Sequence, residues 1–235
     1  MINGLARSTG VSFAGFVLML AGLSPLQVFA NDQYCSVSGK HQAVYFSPRV
    51  GANNEELRLY KQSLSSQLKA LAVGDRLTFL AANERGIVQI FSSCMPGCPD
   101  QGIIGQFLGL GGSCAVTKAK ADKNVFLSQY VSSAKRIMDG AFEGSGDIML
   151  TLSAVATHID NDGDKQTEYV VISSMQDSFD NSEETLDAWF VNVIQQDRIP
   201  ERLPDAKVSG LSINAQLISF WEDIYAIKDQ EFSYF

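Results

Sequence analysis

Two apolar runs, Leu77-Thr78-Phe79-Leu80 and Ile87-Val88-Gln89-Ile90-Phe91, are separated by little more than Asn83-Glu84-Arg85-Gly86. A parallel connection needs a crossover of about a dozen residues or more, so these two strands pair antiparallel as a hairpin. The remaining strand-like runs lie helix-length distances apart. Ala43-Val44-Tyr45-Phe46, closed by Ser47-Pro48, precedes a segment in which Leu57, Tyr60, Leu64, Leu68 and Leu71 recur at three- and four-residue steps. Asn54 can cap that helix and Gly74-Asp75 ends it.

Beyond the hairpin, residues 92–116 break the pattern. Cys94-Met95-Pro96-Gly97-Cys98-Pro99 opens a glycine-rich excursion that ends at Cys114. A helix is predicted from about Asp122, with Phe126, Tyr130, Ala134, Ile137 and Met138 on one face. A second is predicted from about Asp147, with Ile148, Leu152, Val155 and Ile159. Tyr169-Val170-Val171-Ile172 is a β-branched run buried on both faces. Glu183–Gln195 is helical, with Asn181 and Glu184 spaced as a capping box. A last strand at about Lys207–Ile213 leads to a helix carrying Leu217, Phe220, Trp221, Ile224 and Tyr225. Strands and helices alternating in this way predict an α/β fold in three layers. Its sheet is doubly wound and mostly parallel, with one antiparallel strand at an edge.

Residues 11–30 carry no charge, follow Arg7, and are broken by Pro25 before Val28-Phe29-Ala30. The unbroken apolar part is too short for a membrane span and reads as a secretory signal peptide covering residues 1–30. Removing it leaves 205 residues, read as a single domain over residues 31–235, and a net charge of −9 in place of −8. An acidic surface repels phosphates and anionic lipid heads, so nucleic acid and membrane insertion are not expected. Cys35, Cys94, Cys98 and Cys114 all follow the cleavage point. In an exported, periplasmic or secreted protein they are expected as disulfides, with Cys94 or Cys98 favoured as the partner of Cys114.

The element order, with a hairpin after the first helix, resembles the von Willebrand factor type A domain. Gly144-Ser145-Gly146-Asp147-Ile148 is similar to that family's Gly-Gly-Thr-Asp-Ile stretch. Val170-Val171-Ile172-Ser173-Ser174-Met175-Gln176 is similar to its late strand and Ser-Asp loop, and Phe220-Trp221-Glu222 to the terminal helix of exported bacterial members. The resemblance spans roughly residues 41–228 and implies a metal-ion-dependent adhesion site at the C-terminal edge of the sheet. A hard divalent cation there needs oxygen ligands that include carboxylates. Tyr45 stands where the first Asp would precede Ser47, Arg49 adds positive charge, Gly146 takes the Thr position and Ser174 replaces the late Asp. The resemblance therefore implies a degenerate metal site. It leaves an interaction face made of Ser47, Arg49, Ser145, Asp147, Ser174 and Asp177.

Asp160-Asn161-Asp162-Gly163-Asp164 has alternating carboxylates but not the spacing of an EF-hand, and turn chemistry accounts for it. An alternative metal site would use Asp160, Asp162 and Asp164. His41 and His158 neighbour no nucleophile elbow, and Cys94 and Cys98 are three residues apart, not the two of a redox pair. His158 reads as a surface residue at a helix C-terminus. The expected function is a non-enzymatic, exported interaction domain that binds a protein partner and needs no cofactor. The alternative is a metal-dependent binding protein or enzyme.

Overall fold

The structure is a computed structural model that describes residues 34–35, 39–47, 54–83, 85–98, 115–139, 147–162, 166–175, 186–210, 213 and 215–234. The segment read as a signal peptide lies outside them. The elements in chain order are β1 (His41–Phe46), α1 (Asn54–Ala70), β2 (Arg76–Asn83), β3 (Gly86–Cys94) and α2 (Val116–Met138). They continue with α3 (Ile148–Asp162), β4 (Thr167–Ser173), α4 (Leu186–Gln195), β5 (Lys207–Gly210) and α5 (Ala215–Ile227).

The five strands form one sheet in the order β3-β2-β1-β4-β5. β1 lies at its centre, parallel to β2 on one side and to β4 on the other, and β4 is parallel to β5. Among the described strands only β3 runs antiparallel, at the edge. This is the doubly wound, mostly parallel α/β architecture that the spacing of the apolar runs predicts. At the hairpin, Asn83 pairs with Gly86, whose φ of 131° lies where a side chain is strained, and the Asn83 side chain accepts the Arg85 N–H. Local turn chemistry thus fixes the register of β2 against β3.

Side chains alternate across the sheet, so each strand feeds two cores. Val44 and Phe46 join Leu77, Phe79, Phe91, Phe126 and Tyr130 beneath α1 and α2. Ala43 and Tyr45 join Val171, Met149, Trp189 and Trp221 beneath α3, α4 and α5. In the first core the rings of Phe79 and Tyr130 lie 5.2 Å apart, and those of Phe46 and Phe79 meet edge to face at the same distance. Each fully buried aromatic contributes about 1.5–3 kcal/mol through removal from water. The phenol of Tyr60 on α1 donates to the Ala134 carbonyl on α2, and that of Tyr130 on α2 donates to the Leu64 carbonyl on α1. The two helices are thereby tied reciprocally over a greasy surface.

The opposite, N-terminal edge of the sheet is held by Asp75. Its carboxylate accepts the Lys40 N–H at 2.8 Å and the Ala72 N–H at 2.7 Å, and its carbonyl accepts the Met95 N–H. One nearly buried residue thus joins the entry of β1, the turn after α1 and the exit of β3. Gly39 completes the junction, because a Cβ there would come within 2.3 Å of the Gly74 carbonyl oxygen.

Several expectations are corrected in detail. β3 runs on to Cys94 instead of stopping at Phe91, because its pairing with β2 continues through Ser92, Ser93 and Cys94, where the Ser92 hydroxyl also bonds that of Thr78 across the hairpin. The expected excursion over 92–116 therefore begins inside the sheet; residues 99–114 lie outside the described residues. α2 begins at Val116, six residues before the expected Asp122, in a run of Ala and Lys that favours helix without showing a period. Cys94 pairs with Cys35, with Cα atoms 5.4 Å apart, and so not with Cys114. Cys98 is also disulfide-bonded, and no described cysteine is free; Cys114 lies outside the described residues. Among the described residues no helix is long and apolar enough to cross a membrane.

Candidate functional site

In an open sheet of this kind, ligands meet the C-terminal ends of the strands where the strand order reverses. Here that point lies between β1 and β4, whose C-terminal ends carry Ser47 and Ser173. The Ser47 N–H donates to the Ile172 carbonyl, and its hydroxyl donates to the Ser173 hydroxyl at 2.9 Å. Ser173 Oγ in turn accepts the Met175 N–H at 2.9 Å. Met175 adopts a φ of 57°, an uncommon conformation for a residue with a side chain. The position is held because the Met175 side chain is fully buried and its carbonyl accepts the Trp221 indole N–H at 2.8 Å. The core under α5 therefore fixes the backbone that leaves β4.

Asp147 stands at the start of α3. One carboxylate oxygen accepts the Leu150 N–H as a helix cap, and the other accepts from Arg198 at 2.8 Å, in an ion pair that is mostly buried. Both oxygens are thus committed, one to the positive end of the helix and one to a guanidinium. Ser174 is half-buried beside the Ser47–Ser173 pair. Arg49, Ser145 and Asp177, the other members of the expected face, lie outside the described residues. So do Pro48 and Gly146.

Among the described residues, the donor set here does not fit the divalent cation that the resemblance implies. Ser47 and Ser173 are neutral and bonded to each other, and the Asp147 carboxylate is already neutralised and capped. Tyr45, placed by sequence where an acidic ligand would stand, points away from the edge. Its ring is fully buried under α3, and its hydroxyl meets His158 Nδ1 at 2.9 Å. Burial, reinforced by the neighbouring Tyr169 and Asp162, holds the Tyr45 phenol above its ordinary pKa, so it remains a neutral hydrogen-bonding group. His158 is half-buried against this phenol and is not the surface residue expected.

The acidic run at the end of α3 is divided between partners. Asp160 and Asp162 occupy the last helical turn, not a loop, and two residues apart on a helix they face different directions. Asp160 pairs with Arg202 at 2.6 Å, and Asp162 accepts the Tyr169 hydroxyl at 2.9 Å. Asp164 lies outside the described residues. Among the described residues no group of three His, Cys, Asp or Glu side chains converges as a metal site would.

Two features went unread in the sequence. Ser173, not Ser174, is the partner of Ser47, because a strand residue one position earlier points across to β1. Its signal is the strand's own alternation: Ser173 shares a face with Val171, which is buried against the same core as Tyr45. The second is Gln67 on α1, buried although polar, which the heptad-like run of leucines conceals. No family model matches the chain, and no curated protein matches it in sequence.

Proposed function

We propose that this chain is an exported, non-enzymatic binding domain that engages a protein partner through the loops at the C-terminal edge of its sheet, without a divalent metal. The observation that carries the reading is the Ser47–Ser173 pair at the point where the strand order reverses. It sets an uncharged floor at the ends of β1 and β4, and Arg49 and Asp177 follow those strand ends within a few residues of sequence. Recognition there rests on hydroxyls, backbone amides and the charges of those loops. The order of elements resembles that of the von Willebrand factor type A domain, which supports a role in protein contacts. Export is supported by the charge-free segment 11–30 and by the Cys35–Cys94 disulfide, since such bonds persist in oxidising compartments.

The test is affinity capture with the mature, oxidised protein from its own cell envelope, followed by mass spectrometry, repeated with Arg49→Ala and Ser174→Ala. A reproducible partner that both variants lose supports the reading. A partner retained in full by both variants removes the C-terminal edge as its binding surface.

A further inference from the structure

The sheet face under α1 and α2 is not covered evenly. Over β1, β2 and β3 it is apolar, and the two helices close it. Val170 and Ile172 carry that apolar surface onto β4, but at the start of β4 and along β5 it turns polar, with Glu168, Lys207 and Ser209 on the side facing α1. Between the C-terminal half of α1 and these strands lies a cleft of about 610 Å³, bounded at its outer end by Ser233 and Tyr234.

Gln67 on α1 lines this cleft from beneath its surface. It is 6 % exposed, and neither its amide nitrogen nor its amide oxygen has a hydrogen-bond partner. Buried amides are almost always paired, because the groups lose water without replacement otherwise. A side chain with an unused donor and an unused acceptor in one plane is therefore set for a ligand that supplies both complements. The surroundings define the ligand's charge. Lys207 Nζ and Glu168 Oε1 lie 2.6 Å apart and cancel each other, and Gln42 approaches the same carboxylate. The serine hydroxyls of Ser63 and Ser209 face each other at 3.2 Å across the cleft. Apart from that ion pair the polar groups are amides and hydroxyls that both donate and accept, set beside apolar surface from Leu59, Ala70 and Val170; the charge sums to zero, and the Tyr234 ring stands partly exposed at the rim.

We propose that this cleft binds a neutral, hydroxyl-rich ligand of the saccharide class, anchored by the Gln67 amide. Adjacent hydroxyls on a sugar ring each donate and accept, as a planar amide requires, and the apolar face of the ring matches an aromatic rim. An extended peptide fits less well. Such a chain gains most of its affinity by adding a strand to a sheet edge, and here the outward Val208 N–H is already bonded to the Ser233 carbonyl, with Tyr234 bridged alongside. The site lies on the flank of the sheet and is independent of the C-terminal edge.

The experiment is saturation-transfer NMR with thermal melting on the oxidised chain, against glucose, N-acetylglucosamine, maltose, cellobiose and chitobiose, with triglycine as the peptide probe. At least one saccharide is expected to bind and raise the melting temperature. Gln67→Met, which keeps the volume and removes both polar atoms, is expected to weaken that ligand by about tenfold or more while melting no lower than the parent without ligand. Ser209→Ala, on the opposite wall, is expected to weaken the same ligand and serves if Gln67→Met does not fold. The proposal is overturned if no saccharide binds at millimolar concentration, if triglycine alone binds, or if both variants bind as the parent does.

Discussion

The hydroxyl of Tyr45, on the central strand, lies 2.9 Å from Nδ1 of His158, near the end of α3, and the two rings meet edge to face. The pair couples the middle of the sheet to the helix that covers it. Replacing Tyr45 with Phe keeps the ring and removes the bond, leaving a half-buried imidazole nitrogen unpaired. The expected loss is about 1 kcal/mol, read as a lower urea midpoint with an unchanged slope. Tyr45→Ala opens a cavity as well and should cost about 3–5 kcal/mol.

Alkali should unfold the protein through its buried phenols. Burial raises the pKa of Tyr45, Tyr60, Tyr130 and Tyr225 above the ordinary tyrosine value, so the native state keeps protons that the unfolded chain releases. Their contribution to stability is complete below the unfolded pKa of about 10 and is lost as pH climbs above it. Urea midpoints should therefore show no tyrosine-dependent change around neutrality and fall steeply above about pH 10. Tyrosinate absorbance should appear together with unfolding. Absorbance that rises while the fold persists would contradict the assigned burial.

Peptide mapping of the oxidised protein without reduction should recover Cys35 joined to Cys94. The bridge spans 59 positions of sequence, and on the chain-entropy account its removal by the double change Cys35→Ala, Cys94→Ala costs about 4 kcal/mol. Recovery of a Cys94–Cys114 peptide would refute the pairing.

Asp147 should matter more than its ion-pair partner. Asp147→Ala removes a helix cap together with the mostly buried ion pair to Arg198, at a cost of about 1–2 kcal/mol. Arg198→Ala leaves the cap intact and should cost less. Equal losses in thermal melts of the two variants would mean that the cap contributes nothing.

Calcium, magnesium or manganese should leave the melting temperature where a chelator leaves it. A site held at a hundred times its dissociation constant adds about 2.7 kcal/mol to stability. A rise of that size would show that the carboxylates near Asp160 or Asp147 exchange their protein partners for an ion.

The architecture was legible because hydrophobic burial writes its period into the chain. The short gap between Leu80 and Ile87 dictates a hairpin, and the uninterrupted Tyr169–Ile172 run requires cover on both faces. What stayed hidden depends on single positions. Val116–Ala121 is helical by propensity alone and shows no stripe. Asp160 and Asp162 read as a turn because acids favour turns, yet Arg202 and Tyr169, distant in sequence or on another element, draw them into a helical end. Ser173 and Ser174 are chemically alike, and only the pleat of β4 decides which one meets Ser47. Gln67 sits in the spacing of the leucines, so no local rule marks it as a buried amide lacking a partner.

The pairing of β1 with β4 has a kinetic consequence. Ser47 and Ser173 are 126 positions apart, while β1 can meet β2 after a much shorter loop. Closing so long a loop is slow, and contacts of high sequence separation are made late. The hairpin, α1 and their share of the first core can therefore assemble while β4 is still unpaired, and Val170 and Ile172 complete that core only when β4 docks. The floor of the C-terminal edge is then among the last parts to form, and a chain interrupted before residue 173 lacks it altogether.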